Sequence, residues 1–174
     1  MHLSFERRPS PVGEMLLLSD EDGALRALDF GDYEPRLHEL LRRYYGDFTL
    51  EQAQAPAAVT EALDRYFDGD LDAIDVLPTA TGGTLFQKQV WAALRTIPAG
   101  ATWSYGQLAT QLGRAGSSRA VGLANGANPV AIVVPCHRVI GANGSLTGYG
   151  GGLPRKQWLL DHERRHRPEA GQLL

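Results

Sequence analysis

Residues Pro78-Thr79-Ala80-Thr81-Gly82-Gly83 divide the chain. They carry no apolar periodicity, and their proline, threonine and glycine content suits an extended connection rather than a helix or a central strand. The sign of the charge changes at the same place. Up to Thr84 the chain holds 7 Lys and Arg against 17 Asp and Glu, and from Leu85 onward it holds 10 against 3. With 174 residues there is room for two small domains, each with its own core. The sequence predicts an N-terminal domain over 1–77, a linker over 78–84 and a C-terminal domain over 85–174. The net charge of −3 hides a basic half, which points to a polyanionic partner for that half alone.

The first residues, Met1 to Arg8, have no apolar core of a leader segment, and no apolar run approaches the length of a membrane span, so no membrane partner is expected. A single cysteine, Cys136, excludes both a disulfide within the chain and a multi-Cys zinc site. No metal is therefore expected. An unpaired thiol suits the reducing cytoplasm.

In the acidic half, Met15–Leu18 and Ala24–Phe30 flank a polar turn ending in Gly23, the pattern of a hairpin. Leu37, Leu40, Leu41 and Tyr44 recur at helical spacing, and Pro56 opens a second helix with Val59, Leu63, Tyr66 and Phe67 on one face. This half reads as an α/β domain, a small antiparallel sheet with helices. The basic half reads as mostly α. Thr84 with Gln87 and Ser104 with Gln107 form capping-box patterns, so helices begin there. Gly113-Arg114-Ala115-Gly116 joins the short helix from Tyr105 to Leu112 to another that Ser117 or Ser118 caps and that reaches about Gly126. Those proportions are those of a helix-turn-helix, and helical hairpins of other kinds share them. The second of the two helices, Arg119-Ala120-Val121-Gly122-Leu123-Ala124-Asn125-Gly126, contains two glycines where glycine lowers helix stability. Close helix packing or a slim face for a narrow groove, with Ala120 and Ala124 on that face and Arg119 projecting from the first turn, would both account for it. Pro154 opens a last helix carrying Trp158, Leu159 and His162, with Arg164, Arg165 and His166 near its C-terminal end.

Cys136 lies in Val134-Pro135-Cys136-His137-Arg138-Val139. A thiol beside an imidazole and a guanidinium becomes a strong nucleophile when its pKa falls. A buried inert thiol is the alternative. Asp161, Glu163 and Glu169 are the acids of the basic half, and Glu163 could orient an imidazole near the thiol. Gly148-Tyr149-Gly150-Gly151-Gly152 permits close backbone approach to a ligand, or is an ordinary flexible connection.

Taken together, Arg119-Ala120-Val121-Gly122, Asn128-Pro129-Val130, Val134-Pro135-Cys136-His137-Arg138-Val139-Ile140 and Lys156-Gln157-Trp158-Leu159-Leu160-Asp161-His162-Glu163 resemble the O6-alkylguanine-DNA alkyltransferase family, bacterial type. The likeness covers the C-terminal half. The N-terminal half is similar more loosely, mainly in layout and in residues 77–84. The resemblance implies DNA repair by irreversible, single-turnover transfer of an alkyl group from O6-alkylguanine in duplex DNA, or from O4-alkylthymine, onto Cys136. It implies that His137 takes the thiol proton through a water, that Glu163 orients His137, and that Asn128 braces the turn. Arg119 would fill the gap left by a base flipped from the minor-groove side. Tyr105 would crowd the 3′ phosphate and bond the purine. Ser118, Ala120, Gly122 and Ala124 would lie along the groove, while Val139, Tyr149, Gly150 and Lys156 would line the pocket. No cofactor and no obligate protein partner are implied, and a monomer is expected. Ser117, Ser118, Leu123 and Gly150 depart from residues common in the family. A non-catalytic sensor of alkylated DNA and a cysteine hydrolase are the competing readings.

Overall fold

The structure, a computed structural model, describes residues 1–168. Their contacts separate them into two compact units. One comprises Met1–Gly83 with Pro129–Val133, and the other Thr84–Asn128 with the chain from Val134 onward.

The first unit is built on a four-stranded sheet. Its strands are β1 (His2–Arg8), β2 (Met15–Ser19), β3 (Leu25–Phe30) and β4 (Thr49–Gln52), in the order β3-β2-β1-β4. The hairpin expected around Ser19–Gly23 joins β2 to β3, with Met15 opposite Phe30 and Leu17 opposite Leu28. β1 and β2 are antiparallel, but β4 lies parallel to β1, so the sheet is mixed rather than wholly antiparallel. The cause is the helix α1 (Glu34–Tyr45), which carries the chain back from the end of β3 so that β4 enters in the direction of β1. Leu16, Leu17 and Leu18 are all fully buried, so both faces of the sheet are covered. On one face Leu3, Phe5, Leu16, Leu18 and Ala27 pack with Leu37 and Leu41 of α1. A second helix, α2 (Ala57–Phe67), starts behind Pro56 and buries Val59, Leu63 and Tyr66.

Residues 78–83 are not a free connection. Leu25 N–H donates to Pro78 O at 2.9 Å and Ala80 N–H to Leu25 O at 3.0 Å. Tyr45 Oη accepts from Gly82 N–H at 3.2 Å. Residues 129–133 return to the same strand, where Leu28 N–H donates to Pro129 O at 3.0 Å and Leu28 O accepts from Ala131 N–H at 3.1 Å. Both segments satisfy backbone groups of β3 that an open edge would expose.

The second unit is helical: α3 (Leu85–Leu94), α4 (Tyr105–Gln111), α5 (Ser118–Gly126) and α6 (Leu153–His166), with two short parallel strands, β5 (Trp103–Ser104) and β6 (Val139–Ile140). Both expected capping boxes form. Thr84 Oγ accepts from Gln87 N–H while Gln87 Oε1 accepts from Thr84 N–H, and Ser104 and Gln107 repeat the exchange. α4 packs on α5. The turn between them uses Gly113 at φ +70° and Gly116 at φ +89°, conformations that side chains resist. Ser117 takes the N-cap position of α5 but its hydroxyl makes no capping bond. No described helix is long and apolar enough to cross a membrane.

Candidate active site around Cys136

The segment that carries Cys136 is wound tightly. Cys136 N–H donates to Val134 O at 2.8 Å across Pro135, whose φ of −83° and ψ of 64° describe a three-residue turn. Asn128 Nδ2 donates to the same carbonyl at 2.8 Å. The bracing expected of Asn128 is thus a bond to Val134 O, the acceptor that also fixes the cysteine amide. A single turn of 3-10 helix, Cys136–Arg138, follows and places Cys136, His137 and Arg138 in the interior, with Cys136 7% exposed.

His137 and Glu163 come from distant parts of the unit and meet in the interior. His137 Nε2 and Glu163 Oε2 are 2.8 Å apart, with side-chain exposures of 0% and 1%. Arg138, whose guanidinium the sequence sets near the thiol, pairs instead with Glu163 and completes the group. Its Nε donates to Glu163 Oε1 at 2.9 Å and its Nη2 to Glu163 Oε2 at 3.0 Å. Its Nη1 donates to Ile97 O at 2.7 Å. Burial alone would raise the Glu163 carboxyl, but His137 and then Arg138 hold it far below the ordinary carboxylate range. An ionised carboxylate only accepts, so Nε2 of His137 carries the proton and Nδ1 presents a lone pair. Burial pushes His137 below its ordinary value, against the pull of Glu163. The imidazole is therefore neutral near pH 7. Among the described residues, Nδ1 is buried without a hydrogen-bond partner. A buried acceptor left open beside a cysteine is poised to take a proton.

Lys156 closes the other side. It is fully buried in α6, and its Nζ donates to Val139 O at 2.7 Å and Thr147 O at 2.6 Å. Burial lowers its amine to about 8, and the charge of Cys136 acts in the opposite sense. Lys156 thus fastens the loop after β6 to the strand that follows the cysteine. Tyr105, at the start of α4, shares a hydrogen bond with Thr147 Oγ1 at 3.1 Å between its hydroxyl and that oxygen. Tyr149 is half-buried and Gly150 exposed in that loop. Thr147 was not expected from the sequence, and no local pattern marks it.

The structure brings the buried Cys136, His137, Val139, Lys156 and Glu163 together with the half-buried Asn128, and ties Tyr105 to them through Thr147. Arg119 and Ala120 stand apart from them, on the exposed face of α5, with Ser118 and Gly122 half-covered. Ala124 does not lie on that face. It is 3% exposed, and its carbonyl accepts from Trp91 Nε1 at 2.8 Å. One helical turn of four residues advances about 400°, enough to rotate Ala124 from the rim of Ala120 into the core. Leu123, 72% exposed, occupies the outer face instead. Glu169 lies outside the described residues. No group of three or more His, Cys, Asp and Glu among them could hold a metal ion.

Comparison with known proteins agrees with this architecture. Residues 85–165 match the family description "6-O-methylguanine DNA methyltransferase, DNA binding domain". Residues 6–81 match "6-O-methylguanine DNA methyltransferase, ribonuclease-like domain". A Shigella flexneri protein named methylated-DNA–protein-cysteine methyltransferase is 52% identical over 165 residues, spanning 94% of this chain and 96% of that protein. One of the same name from Mycolicibacterium paratuberculosis is 51% identical over 163 residues, 92% of each chain. The crystal structure of Mycobacterium tuberculosis OGT in complex with DNA superposes with a TM-score of 0.77 at 41% identity, covering 96% of both chains.

Proposed function

We propose that this chain, which belongs to the family of 6-O-methylguanine DNA methyltransferases, repairs DNA by moving the alkyl group of O6-alkylguanine from duplex DNA onto Cys136. The observation that carries this reading is the open Nδ1 of neutral His137, held in place by the buried Glu163–Arg138 pair one residue from the only thiol. His137 takes the thiol proton through a water. The thiolate attacks the alkyl carbon, the new S–C bond forms as the C–O6 bond breaks, and the guanine leaves as its O6 anion. Protonation from solvent returns an ordinary guanine. The thioether is stable to water, so each molecule acts once.

The alkyl carbon is hidden inside the base stack, and the nucleotide must leave it at a cost of about a few kcal/mol. Arg119 on the exposed face of α5 fills the vacated space from the minor-groove side, and Ser118, Ala120 and Gly122 keep the rest of that approach narrow. Tyr105 crowds the phosphate, while Val139, Tyr149, Gly150 and Lys156 line the pocket. The protein works as a monomer in the cytoplasm, where an unpaired acceptor thiol stays reduced.

Intact mass after incubation with a duplex bearing O6-methylguanine tests the reading. One added methyl on Cys136, absent from Cys136→Ala, is the expected result. Tight lesion binding with no gain in mass would replace the transferase with a sensor.

A further inference from the structure

The exposed face of α5 carries one side chain that a slim groove-following helix does not need. Val121, Ala124 and Asn125 form its buried face, and Arg119, Ala120, Leu123 and Gly126 its outer one. On that outer face Ala120 and Gly126 are small, Arg119 is charged, and Leu123 is 72% exposed. Arg119 and Leu123 are four residues apart, so they project from the same side, separated by about 6 Å along the helix axis. That distance is about two base-pair steps of 3.4 Å.

We propose that Leu123 is a sequence-context reader: it lies on the floor of the minor groove about two base pairs from the lesion and disfavours G·C there. The inference rests on the duplex reading above, with Arg119 at the flipped nucleotide. The minor groove is about 6 Å wide, and A·T pairs present only acceptors on its floor, whereas the guanine of a G·C pair adds a projecting amino group. A leucine offers that amino group no acceptor. It must either stand off from the groove or cover a donor that then loses its water, and an unpaired donor is costly. The basic balance of this half and the DNA-binding-domain match over residues 85–165 make duplex DNA the occupant of this face.

The test uses duplexes with one O6-methylguanine in which the pairs two steps away on both sides are A·T, G·C or inosine·C. Inosine removes only the minor-groove amino group. Single-turnover methyl uptake by Cys136 is followed by intact mass at subsaturating protein. The wild-type protein is expected to react roughly tenfold faster with A·T and inosine·C than with G·C, a difference of about 1.4 kcal/mol. Leu123→Ala, which favours helix and removes no buried contact, should bring the three rates within about twofold of one another. Equal wild-type rates on G·C and inosine·C, or a preference that survives in Leu123→Ala, would overturn the assignment while leaving methyl transfer itself intact. Absence of methyl uptake on all three duplexes would instead overturn the transferase reading. A dimer in DNA-free solution that Leu123→Ala dissolves would assign the leucine to a self-contact and likewise overturn the proposal.

Discussion

Arg138 and Glu163 form a two-bonded ion pair closed to water, with Nε–Oε1 at 2.9 Å and Nη2–Oε2 at 3.0 Å and side-chain exposures of 3% and 1%. A carboxylate in that position has no solvent to fall back on. Arg138→Met removes the guanidinium, leaves Ile97 O without its donor and strands the charge of Glu163 beside one imidazole. Breaking one side of such a pair costs about 3–5 kcal/mol. Urea unfolding should show a loss of that order, with Arg138→Lys recovering only part of it because an ammonium cannot reproduce the planar fork. A loss of under about 1 kcal/mol would show that the pair does not hold the site together.

The same group fixes how stability depends on pH. Burial lowers His137 below its ordinary value despite Glu163. In the unfolded chain the imidazole protonates as pH falls through about 6.5; the buried one resists, so the unfolded state binds more protons and stability falls. Burial would raise Glu163, but His137 and Arg138 depress it strongly. Its contribution is fully present above the unfolded carboxyl value of about 4.3 and is lost as pH falls towards the depressed folded value. Denaturant midpoints measured against pH should therefore decline below about 6.5 and more steeply below about 4.3, the second decline shrinking in Glu163→Gln. A midpoint that rises on acidification from pH 7 to 5 contradicts the network.

Lys156 gives the reaction its own pH signature. Burial brings its amine down to about 8, with the charge of Cys136 opposing that shift, so the ammonium and the thiolate favour one another. Above that pH the cation that favours the thiolate is lost. The rate of methyl uptake should rise towards pH 8 and then bend. Lys156→Met, lacking both the charge and the bonds to Val139 O and Thr147 O, should be slower at pH 7 and show no bend at that point. Stopped-flow or quench measurements of single-turnover rates between pH 6 and 9.5 decide it. A wild-type profile without a bend near 8 would remove Lys156 from the electrostatics of the thiol.

What the sequence could show follows from which signals are local. The capping boxes at Thr84 and Ser104, the apolar stripes of α1 and α2 and the β2–β3 hairpin are encoded within a few residues, and each was legible. β4 carries a single leucine in four residues and has no period, so its parallel pairing with β1 was invisible without the crossover through α1. Cys136, its neighbour His137 and the acid Glu163 stand out by residue type and by the family resemblance. Arg138 stands out as a cation near the thiol, but its pairing with Glu163, 25 residues away, is set by tertiary packing and has no local signal. Ile132 is the extreme case: a buried β-branched residue at φ +71°, where Val133 N–H donates back to Ala131 O at 2.8 Å. Such a conformation stores strain of about 1–3 kcal/mol, and only tertiary packing can impose it. The faces of α5 show the same limit. Four residues separate Ala120 from Ala124, yet the packing of Trp91 against Ala124 O decides which of them reaches solvent.

On the proposed function, Arg119 would separate base extraction from alkyl transfer. It is exposed on the first turn of α5 and stands apart from the buried network of His137, Arg138 and Glu163. Its removal should leave the chemistry of the pocket intact and impair only extraction of the nucleotide. Holding the vacated stack offsets a share of an unstacking cost of a few kcal/mol, so Arg119→Ala should slow methyl uptake from duplex DNA by about 10²-fold. Uptake from the free base O6-methylguanine should change by less than about twofold, because no stack has to be opened. The variant should also lose duplex affinity with a smaller salt slope, since one fewer cation displaces counterions. Equal losses on the duplex and on the free base would show that Arg119 acts on the pocket rather than on the DNA.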